Sequence, residues 1–434
     1  MRRRSLLAPF LAAFLLACNA IVAAVDGDPG EHGVPPRDAA SPTIDGTTPP
    51  SSEAGSPPPD VDSPPPRPDA TVGNADSGPE TSVPEAGNEA GAYPEAGGGP
   101  DAGIFDAGPP PDAGPPPPSC AVLPATCGPN GNVSCCLALP VDGNLDAGAF
   151  HRDNDVTHCG DGGVTHVCPG WVSDYQLDVY EITVGRFRAF VNAGQGTTMN
   201  PPVPGSGASP HQAGTGWDAT WTRQLAADTA TLRSSLGNCG QFATWTTEDG
   251  ANELRPMNCM TWYEAQAFCI WDDARLPTEL EWDYAAAGGT DRRPYPWSRS
   301  PSDTEINCAY AAYWGYGADG GEANGTGYCS TPGGAELNDL DFDLVGMHPA
   351  GNGRWGQADL AGNVWEWTLD YYDPTSNYPT VECHDCANVT PGANRSIRNG
   401  GAGYSAQNVL TTNRTYADPA LRWYNGGARC VRPR

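Results

Sequence analysis

Two cysteines with a histidine between them are the first residues in this sequence that could do chemistry. The segment reads Cys383-His384-Asp385-Cys386. Two thiolates at this spacing could hold a soft metal such as Cu(I). In an exported protein the same spacing is typical of a local disulfide or of two structural bridges. We favour disulfide bonding for this motif.

A second candidate site is the segment DLAGNVWEW, which begins at Asp359. The side chains of Asp359 and Glu366, with the carbonyls of Gly362 and Val364, place hard oxygens at positions i, i+3, i+5 and i+7 of a tight turn. Calcium prefers several oxygen ligands of this kind, so the spacing predicts a calcium site. The alternative is that Glu366 pairs with an arginine between two buried tryptophans.

A third group combines cysteines with histidines near the start of the folded region. Cys159 and Cys168 lie close to His158 and His166 in the sequence. Such a set resembles a zinc site, although disulfide bonding is the interpretation that we favour in an exported chain.

Three helices are predicted to position these groups. Each begins at a threonine that can cap it, namely Thr183, Thr261 and Thr278. The second and third threonines are each followed three residues later by a glutamate, which predicts two capping boxes. Gly194 is expected to end the first helix, because glycine readily adopts the backbone conformation found after a helix.

The remaining sequence favours an irregular α+β fold. Short strand-like pieces at 176–180 and 364–369 lie among long loops rich in Gly and Asn. We predict one loop-rich, disulfide-bonded domain over 119–434, with a cysteine-rich N-terminal extension at 119–169.

The N-terminus predicts export and lipid attachment. Residues 1–18 read MRRRSLLAPFLAAFLLAC, which is a basic start, an apolar run and a small residue before Cys18. This pattern is typical of a lipoprotein signal peptide, after whose cleavage the Cys18 sulfur carries lipid. The predicted location is therefore the bacterial envelope, on the cell surface or on the periplasmic face of a membrane.

Composition supports this compartment and excludes some partners. The chain has 15 cysteines, which leaves an even fourteen after Cys18, so extensive disulfide bonding is expected. Cys308 and Cys329 are close enough in sequence to form a local bridge. The net charge of −29 argues against nucleic acid and against an anionic membrane surface. Membrane contact is therefore expected through the lipid anchor only.

Residues 19–118 form a predicted stalk. They are rich in Pro, Gly, Ala and Asp, as in the segment FDAGPPPDAGPPPP. A stretch with so few aromatic and branched residues cannot bury enough apolar surface to fold, so it is expected to be disordered.

Five motifs in fixed order carry a family resemblance. They are LDVYEITV from Leu177, RPMNCMTW from Arg255 with RLPTELEWDYAA from Arg275, YPW from Tyr295, DLAGNVWEW from Asp359 and GGARC from Gly426. Over roughly 170–434 the sequence resembles the formylglycine-generating (sulfatase-modifying factor) family. The resemblance implies a C-type-lectin-like fold, a peptide-binding cleft and bound calcium. In catalytic members it also implies copper-dependent oxidation of a sulfatase cysteine to formylglycine.

The copper site of the family is altered in this sequence. Catalytic members have two cysteines after a Gly-Gly-Ser strand, and here the matching positions hold Ser405 and Leu410. Hydroxyl and alkyl groups cannot replace thiolates as Cu(I) ligands. Copper is therefore not expected at these positions.

The resemblance also implies calcium ligands and a disulfide. The turn that begins at Asp359 matches one calcium site of the family. A second site would begin at Asn307 and the carbonyl of Cys308, with Asp339, Asp341 or Asp343 as its acidic ligand. Cys269 and Cys430 match a family disulfide that joins the main helix to the last strand.

An aromatic group could line a ligand cleft, and it contains Trp297, Tyr310, Tyr313, Trp314 and Tyr316. The alternative is that these rings form part of the core.

Three functions follow from these observations. The first is a surface binding module for a peptide, protein or glycan that lacks the copper cysteines. The second is an oxidoreductase that forms formylglycine in exported proteins, and the third is a structural component of the envelope. The sequence does not indicate an oligomeric state.

Overall fold

The computed structural model describes residues 116–121, 126–152, 168–314, 329, 342–373 and 382–434. All of them belong to one compact unit, Pro100–Arg434. Several predicted features lie outside the described residues: the signal peptide with Cys18, residues 19–115 of the stalk, His158, Cys159, His166, Tyr316, Asp339 and Asp341. No helix in the described part is long and apolar enough to cross a membrane.

The described fold is an irregular α+β domain with short elements. Its helices are α1 (Pro118–Ala121), α2 (Val184–Asn192), α3 (Thr229–Gly237), α4 (Trp262–Trp271) and α5 (Glu279–Ala286). Its strands are β1 (Thr126–Cys127), β2 (Val133–Ser134), β3 (Ala138–Val141), β4 (Phe150–His151), β5 (Pro169–Trp171), β6 (Tyr175–Asp178), β7 (Trp365–Tyr371), β8 (Cys383–His384), β9 (Arg395–Arg398), β10 (Arg414–Ala417), β11 (Gly426–Gly427) and β12 (Val431–Pro433). Short 3-10 helices include Ala219–Gln224 and Ala406–Val409.

The strands form small sheets with many long-range pairings. The four-stranded sheet has the order β10-β9-β7-β11, in which β11 runs parallel to β7 and the other pairs are antiparallel. Two three-stranded sheets have the orders β12-β6-β3 and β4-β5-β8, and β1 pairs with β2. The last strand of the domain therefore pairs with β6 near its beginning, which brings the two ends of the domain together.

The predicted helix caps are present. Thr183 accepts a hydrogen bond from the Arg186 amide at the start of α2. Thr261 and Thr278 each form a reciprocal capping box with the glutamate three residues later. Gly194 follows α2 with a φ of 74°, a left-handed conformation that suits glycine. Local sequence was sufficient to place these helices because each carries its own start signal.

The main core lies between α2, α4 and the four-stranded sheet. Phe187 and Phe190 of α2 pack against Phe268 of α4, with ring centroids 5.5 and 5.6 Å apart. Trp262 and Trp367 are fully buried in the same cluster. Every residue of α5 is buried, so this helix is an internal element rather than an amphipathic surface helix.

A buried ion-pair network ties the N- and C-terminal parts of the domain to the helices. Arg186 of α2 donates to Asp178 at 2.9 Å and to Asp272 at 2.6 Å, and all three side chains are fully buried. Arg432 of β12 pairs with the same two carboxylates. Paired charges of this kind avoid the cost of burying an isolated ion.

All described cysteines are disulfide-bonded. The pairs are Cys120–Cys136, Cys127–Cys135, Cys239–Cys259, Cys269–Cys430, Cys308–Cys329 and Cys383–Cys386. Cys168 is also bonded, so its sulfur is not available as a zinc ligand.

Candidate functional site

Ser405 and Leu410 stand at the two ends of one 3-10 helix. Strand β9 leads into the segment Asn399-Gly400-Gly401, and the helix Ala406–Val409 follows. The Ser405 hydroxyl donates to the Asn408 side-chain oxygen at 2.9 Å. Leu410 is partly buried against an apolar cluster that contains Tyr295. These two positions therefore present a hydroxyl and an alkyl group, neither of which is a ligand for a soft metal.

The CxxC motif does not supply a substitute thiolate pair. Cys383 and Cys386 are bonded to each other. A disulfide sulfur lacks the negative charge that makes a thiolate a strong metal ligand. In this oxidised state the described residues contain no free thiol near Ser405 or elsewhere.

The predicted calcium turn brings its oxygens together around an amide group. The Asn399 side-chain nitrogen donates to the carbonyls of Asp359, Gly362 and Val364 at 3.1, 2.8 and 3.0 Å. Its side-chain oxygen accepts from the Gly362 amide at 2.6 Å. The two carbonyls that were predicted to bind an ion, those of Gly362 and Val364, thus converge on one point with the Asp359 carbonyl, and the Asn399 amide lies there.

Glu366 has the arginine partner of the alternative interpretation. Arg429 donates to both of its carboxylate oxygens, at 2.8 and 2.7 Å, and the two side chains are fully buried. Trp282 also donates its indole N–H to Glu366 at 2.8 Å. The charge of Glu366 is therefore already balanced inside the protein.

Two further carboxyl groups lie close to this pair. Burial, followed by the charges of Asp359 and Glu366, raises the pKa of Glu181 well above its usual value. Burial also raises the pKa of Asp359, whose carboxylate accepts from the Gly346 amide at 2.6 Å. The donor types suit a hard cation. Among the described residues, however, no group of three or more His, Cys, Asp and Glu side chains is arranged to hold a metal ion.

The predicted second calcium site is organised around a histidine. His348 hydrogen-bonds Asp343 at 2.6 Å and also bonds the Cys308 carbonyl. The Asn307 side chain accepts from the Ala309 amide at 2.9 Å, so it caps a local turn. Burial lowers the pKa of His348, but the hydrogen bond and charge of Asp343 raise it above its usual value. The Asp343 carboxylate and the Cys308 carbonyl were predicted as calcium ligands. In the structure both are hydrogen-bonded to the His348 ring.

The predicted aromatic group adjoins Ser405. Tyr295, Trp297 and Tyr310 form a continuous stack, with neighbouring ring centroids 4.9 and 5.0 Å apart. The Tyr295 hydroxyl donates to the Ala406 carbonyl, next to Ser405. Trp314 is 40% exposed, and its amide donates to the Tyr404 carbonyl at 2.8 Å. Tyr295 and Trp314 therefore contact the segment 404–406 that contains Ser405.

Two buried polar atoms lie next to Tyr404. The Trp365 indole N–H and the Asn425 side-chain oxygen are close to the Tyr404 hydroxyl, but neither has a hydrogen bond of normal geometry among the described residues. The rings of Trp365 and Tyr404 meet edge to face at 5.3 Å. Sequence reasoning did not single out Tyr404 or Asn425, because nothing in their local sequence indicates that they meet Trp365.

Comparison with known proteins identifies the family. Residues 143–434 match the family described as Sulfatase-modifying factor enzyme 1-like domain. The chain is 29% identical to the formylglycine-generating enzyme of Streptomyces coelicolor over 242 residues, which is 52% of this chain and 67% of that enzyme. It is 34% identical to the inactive C-alpha-formylglycine-generating enzyme 2 of Mus musculus over 121 residues, 27% of this chain and 33% of that protein. Hercynine oxygenase of Mycobacterium tuberculosis is 32% identical over 123 residues, 27% of this chain and 23% of that enzyme.

Solved structures of similar architecture include PvdO from Pseudomonas aeruginosa. It has a TM-score of 0.38 and 16% identity, and the match covers 68% of this chain and 94% of that chain. Treponema denticola variable protein 1 has a TM-score of 0.37 and 18% identity, over 68% of this chain and 95% of that chain. Because the family match spans more than half of the sequence and contains all five motifs, this chain belongs to the sulfatase-modifying factor family.

Proposed function

We propose that this protein is a lipid-anchored envelope protein whose family domain binds a peptide, protein or glycan ligand without oxidising cysteine. The proposal rests on the residues Ser405 and Leu410, which the family resemblance places where catalytic members have copper-binding cysteines. In the oxidised state that the structure holds, the described cysteines supply no thiolate, because all of them are disulfide-bonded. A relative whose name describes it as inactive supports the view that the family scaffold can serve without the oxidase reaction.

The proposed ligand surface is the aromatic rim beside Ser405, formed by Trp297, Tyr310, Trp314 and Tyr404. Trp314 exposes much of its ring, and Trp297 and Tyr310 are partly exposed. Rigid aromatic side chains give a large contact area at low entropic cost, which is why they dominate many recognition surfaces. The buried Trp365 N–H and Asn425 oxygen would provide one donor and one acceptor below the rim.

A copper-binding experiment tests the absence of oxidase chemistry. Purified full-length protein would be titrated with Cu(I) in the presence of a competing chelator, and a cysteine-containing peptide would be supplied with dioxygen. We expect no stoichiometric copper and no peptide aldehyde by mass spectrometry. The Streptomyces coelicolor enzyme, assayed in parallel, serves as the active control. Conversion of the peptide thiol to an aldehyde would overturn the proposal.

Restoring the thiols provides the matched variant. In Ser405→Cys/Leu410→Cys both thiols would flank the four-residue helix Ala406–Val409. We expect this variant to bind Cu(I) far more tightly than the natural protein, because two thiolates would then be available. A folded variant that binds no more copper than the natural protein would contradict the assignment of these two positions.

Ligand binding would be tested by substitution in the aromatic rim. Peptide and glycan arrays would identify a ligand, and Trp314→Ala should then weaken binding by at least about tenfold if this ring is a central contact. Tyr416→Ala is a suitable control, since Tyr416 is 50% exposed but lies on β10. Equal effects of the two substitutions would contradict the proposed location.

Calcium at the turn from Asp359 to Glu366 remains part of the proposal. The carbonyls of Gly362 and Val364 and the Asp359 carboxylate would hold the ion, because Glu366 is bound to Arg429. Elemental analysis by mass spectrometry of the purified domain measures this directly. Absence of calcium after dialysis against calcium-containing buffer would remove the ion from the proposal.

Envelope anchoring is proposed from the N-terminal pattern at Cys18. Metabolic labelling with a radioactive fatty acid should label the natural protein and leave Cys18→Ser unlabelled. Protease treatment of intact cells would then distinguish the cell surface from an internal membrane face. Labelling that persists in Cys18→Ser would contradict this anchor.

A further inference from the structure

The disulfide Cys383–Cys386 differs from the others in the size of its ring. Its cysteines are three residues apart, whereas the other pairs described above are separated by 8 to 161 residues. The chain entropy that a disulfide removes from the unfolded state grows with the length of the closed loop. Reducing this bond should therefore lower the free energy of unfolding less than reducing any of the other pairs described above.

The loop that carries this disulfide is also held by contacts that do not need the bond. Strand β8 pairs with β5, where the His384 ring stacks on Trp171 at 4.4 Å with an interplanar angle of 2°. The Asp385 amide donates to the Trp171 carbonyl at 2.9 Å. The Asp385 carboxylate accepts from both the amide and the hydroxyl of Ser173, each at 2.6 Å. These contacts would keep the loop folded after reduction, so the bond can open without unfolding the domain.

The two cysteine residues differ in exposure. Cys383 is fully buried, whereas Cys386 is partly exposed. An incoming thiolate can therefore reach Cys386 more readily than Cys383, and exchange rates depend on such access.

Two imidazoles are available beside the loop. His384 is exposed, and the half-exposed His211 lies 3.8 Å from the Asp385 carboxylate. Imidazoles can supply and accept protons during exchange.

We propose that Cys383–Cys386 is a redox-active disulfide that accepts two electrons from the dithiol groups of exported proteins. A donor thiolate attacks the Cys386 sulfur, so the bond to Cys383 breaks and Cys383 leaves as a thiolate that takes up a proton. The second donor thiol then attacks the mixed disulfide and releases Cys386. The donor ends as a disulfide, and the two cysteines of this protein end as thiols, so two electrons and two protons are transferred.

A redox titration of the full chain tests this assignment. The protein would be equilibrated with graded ratios of reduced to oxidised dithiothreitol, its thiols trapped by alkylation, and each disulfide quantified by peptide mass spectrometry. We expect Cys383–Cys386 to reach half reduction at a dithiol ratio about tenfold or more below that of Cys127–Cys135 and Cys269–Cys430. Near-ultraviolet circular dichroism should remain native at that point. Reduction of this pair only together with the others, or only after unfolding, would overturn the proposal.

Two variants separate redox activity from a structural role. His384→Phe keeps a ring that can stack on Trp171 but removes the imidazole, so the exchange rate with dithiothreitol should fall while the fold is retained. An unchanged rate would remove the imidazole of His384 from the proposed reaction. Cys383→Ser/Cys386→Ser should keep the native circular dichroism spectrum, because the loop contacts persist. Loss of the native spectrum would show that the bond is structural and would overturn the proposal.

Discussion

At the scale of single residues, Glu366 is the carboxylate for which one motif allowed two chemical interpretations. The spacing of DLAGNVWEW allowed this carboxylate to be either a calcium ligand or the partner of an arginine. In the structure Arg429 and Trp282 donate hydrogen bonds to the carboxylate oxygens of Glu366. A fully buried carboxylate needs a positive partner and hydrogen bonds, since its desolvation is otherwise too costly. The motifs DLAGNVWEW and GGARC are thus joined by one ion pair.

This ion pair leads to a prediction about stability. Arg429→Met would leave Glu366 buried without its positive partner, and we expect a loss of about 3–5 kcal/mol in the free energy of unfolding. Urea denaturation followed by tryptophan fluorescence would measure it. Arg434→Met is the control, because Arg434 pairs with exposed carboxylates at the surface and its removal should have no measurable effect. Similar urea midpoints for the two variants would show that the buried pair of Arg429 and Glu366 does not stabilise the fold.

At the scale of secondary-structure elements, Asp370 connects a strand, a helix and a loop. It lies on β7 and accepts from the Glu279 amide at the start of α5 and from the Asn388 amide, each at 2.7 Å. The Glu279 carboxylate is bound by Arg414 and Arg398. Asp370 is therefore buried next to a second carboxylate, that of Glu279. Burial, followed by the charge of Glu279, raises the pKa of Asp370 to about 7.

The raised pKa of Asp370 predicts a dependence of stability on pH. Between the ordinary aspartate pKa of 3.8 and about 7, the folded state retains a proton that the unfolded state has lost. The contribution of Asp370 to stability therefore decreases as the pH rises through this window and is constant above it. Relative to the natural protein, Asp370→Asn should become more stable as the pH rises from 4 to about 7. Unfolding free energies from urea denaturation at several pH values would measure this difference.

The control for this measurement is Asp249→Asn, which removes an exposed carboxylate. Its difference from the natural protein should vary much less over the same range. A flat difference for Asp370→Asn would mean that Asp370 is already ionised at pH 4 in the folded protein.

At the scale of the whole molecule, long-range connections take the place of extended sheets. Cys269 of α4 is bonded to Cys430 beside the last strand, across 161 residues of sequence. Both cysteines are fully buried in the main core. In the same region β12 pairs with β6, and Arg432 joins the network around Arg186. The C-terminal segment is therefore fixed by covalent, hydrogen-bonded and ionic links together.

The covalent link should contribute most to global stability. Replacing both cysteines, as Cys269→Ala/Cys430→Ala, should lower the free energy of unfolding by about 4–5 kcal/mol, because it releases a very long loop in the unfolded chain. Denaturant unfolding of the two proteins would measure the loss. Cys383→Ser/Cys386→Ser, which opens the smallest ring, serves as the comparison and should cost much less. Equal losses would contradict the loop-length argument.

Much of the fold was predictable because its signals are local. The capping boxes at Thr261 and Thr278 fix the starts of α4 and α5 within four residues of sequence. The order of five motifs indicated the family, and the residue types at 405 and 410 alone excluded copper ligation by thiolates there. The resemblance also implied the pairing of Cys269 with Cys430, which the structure contains.

Only the tertiary structure decided how distant side chains meet. Asn399 reaches the carbonyls of Asp359, Gly362 and Val364 across about 40 residues, and His348 bridges Asp343 to Cys308. No local pattern encodes such contacts, because hydrogen bonds and ion pairs between loops depend on where the whole chain places them. Sequence thus determined which chemical groups are present, while the fold determined which of them are already satisfied by the protein itself.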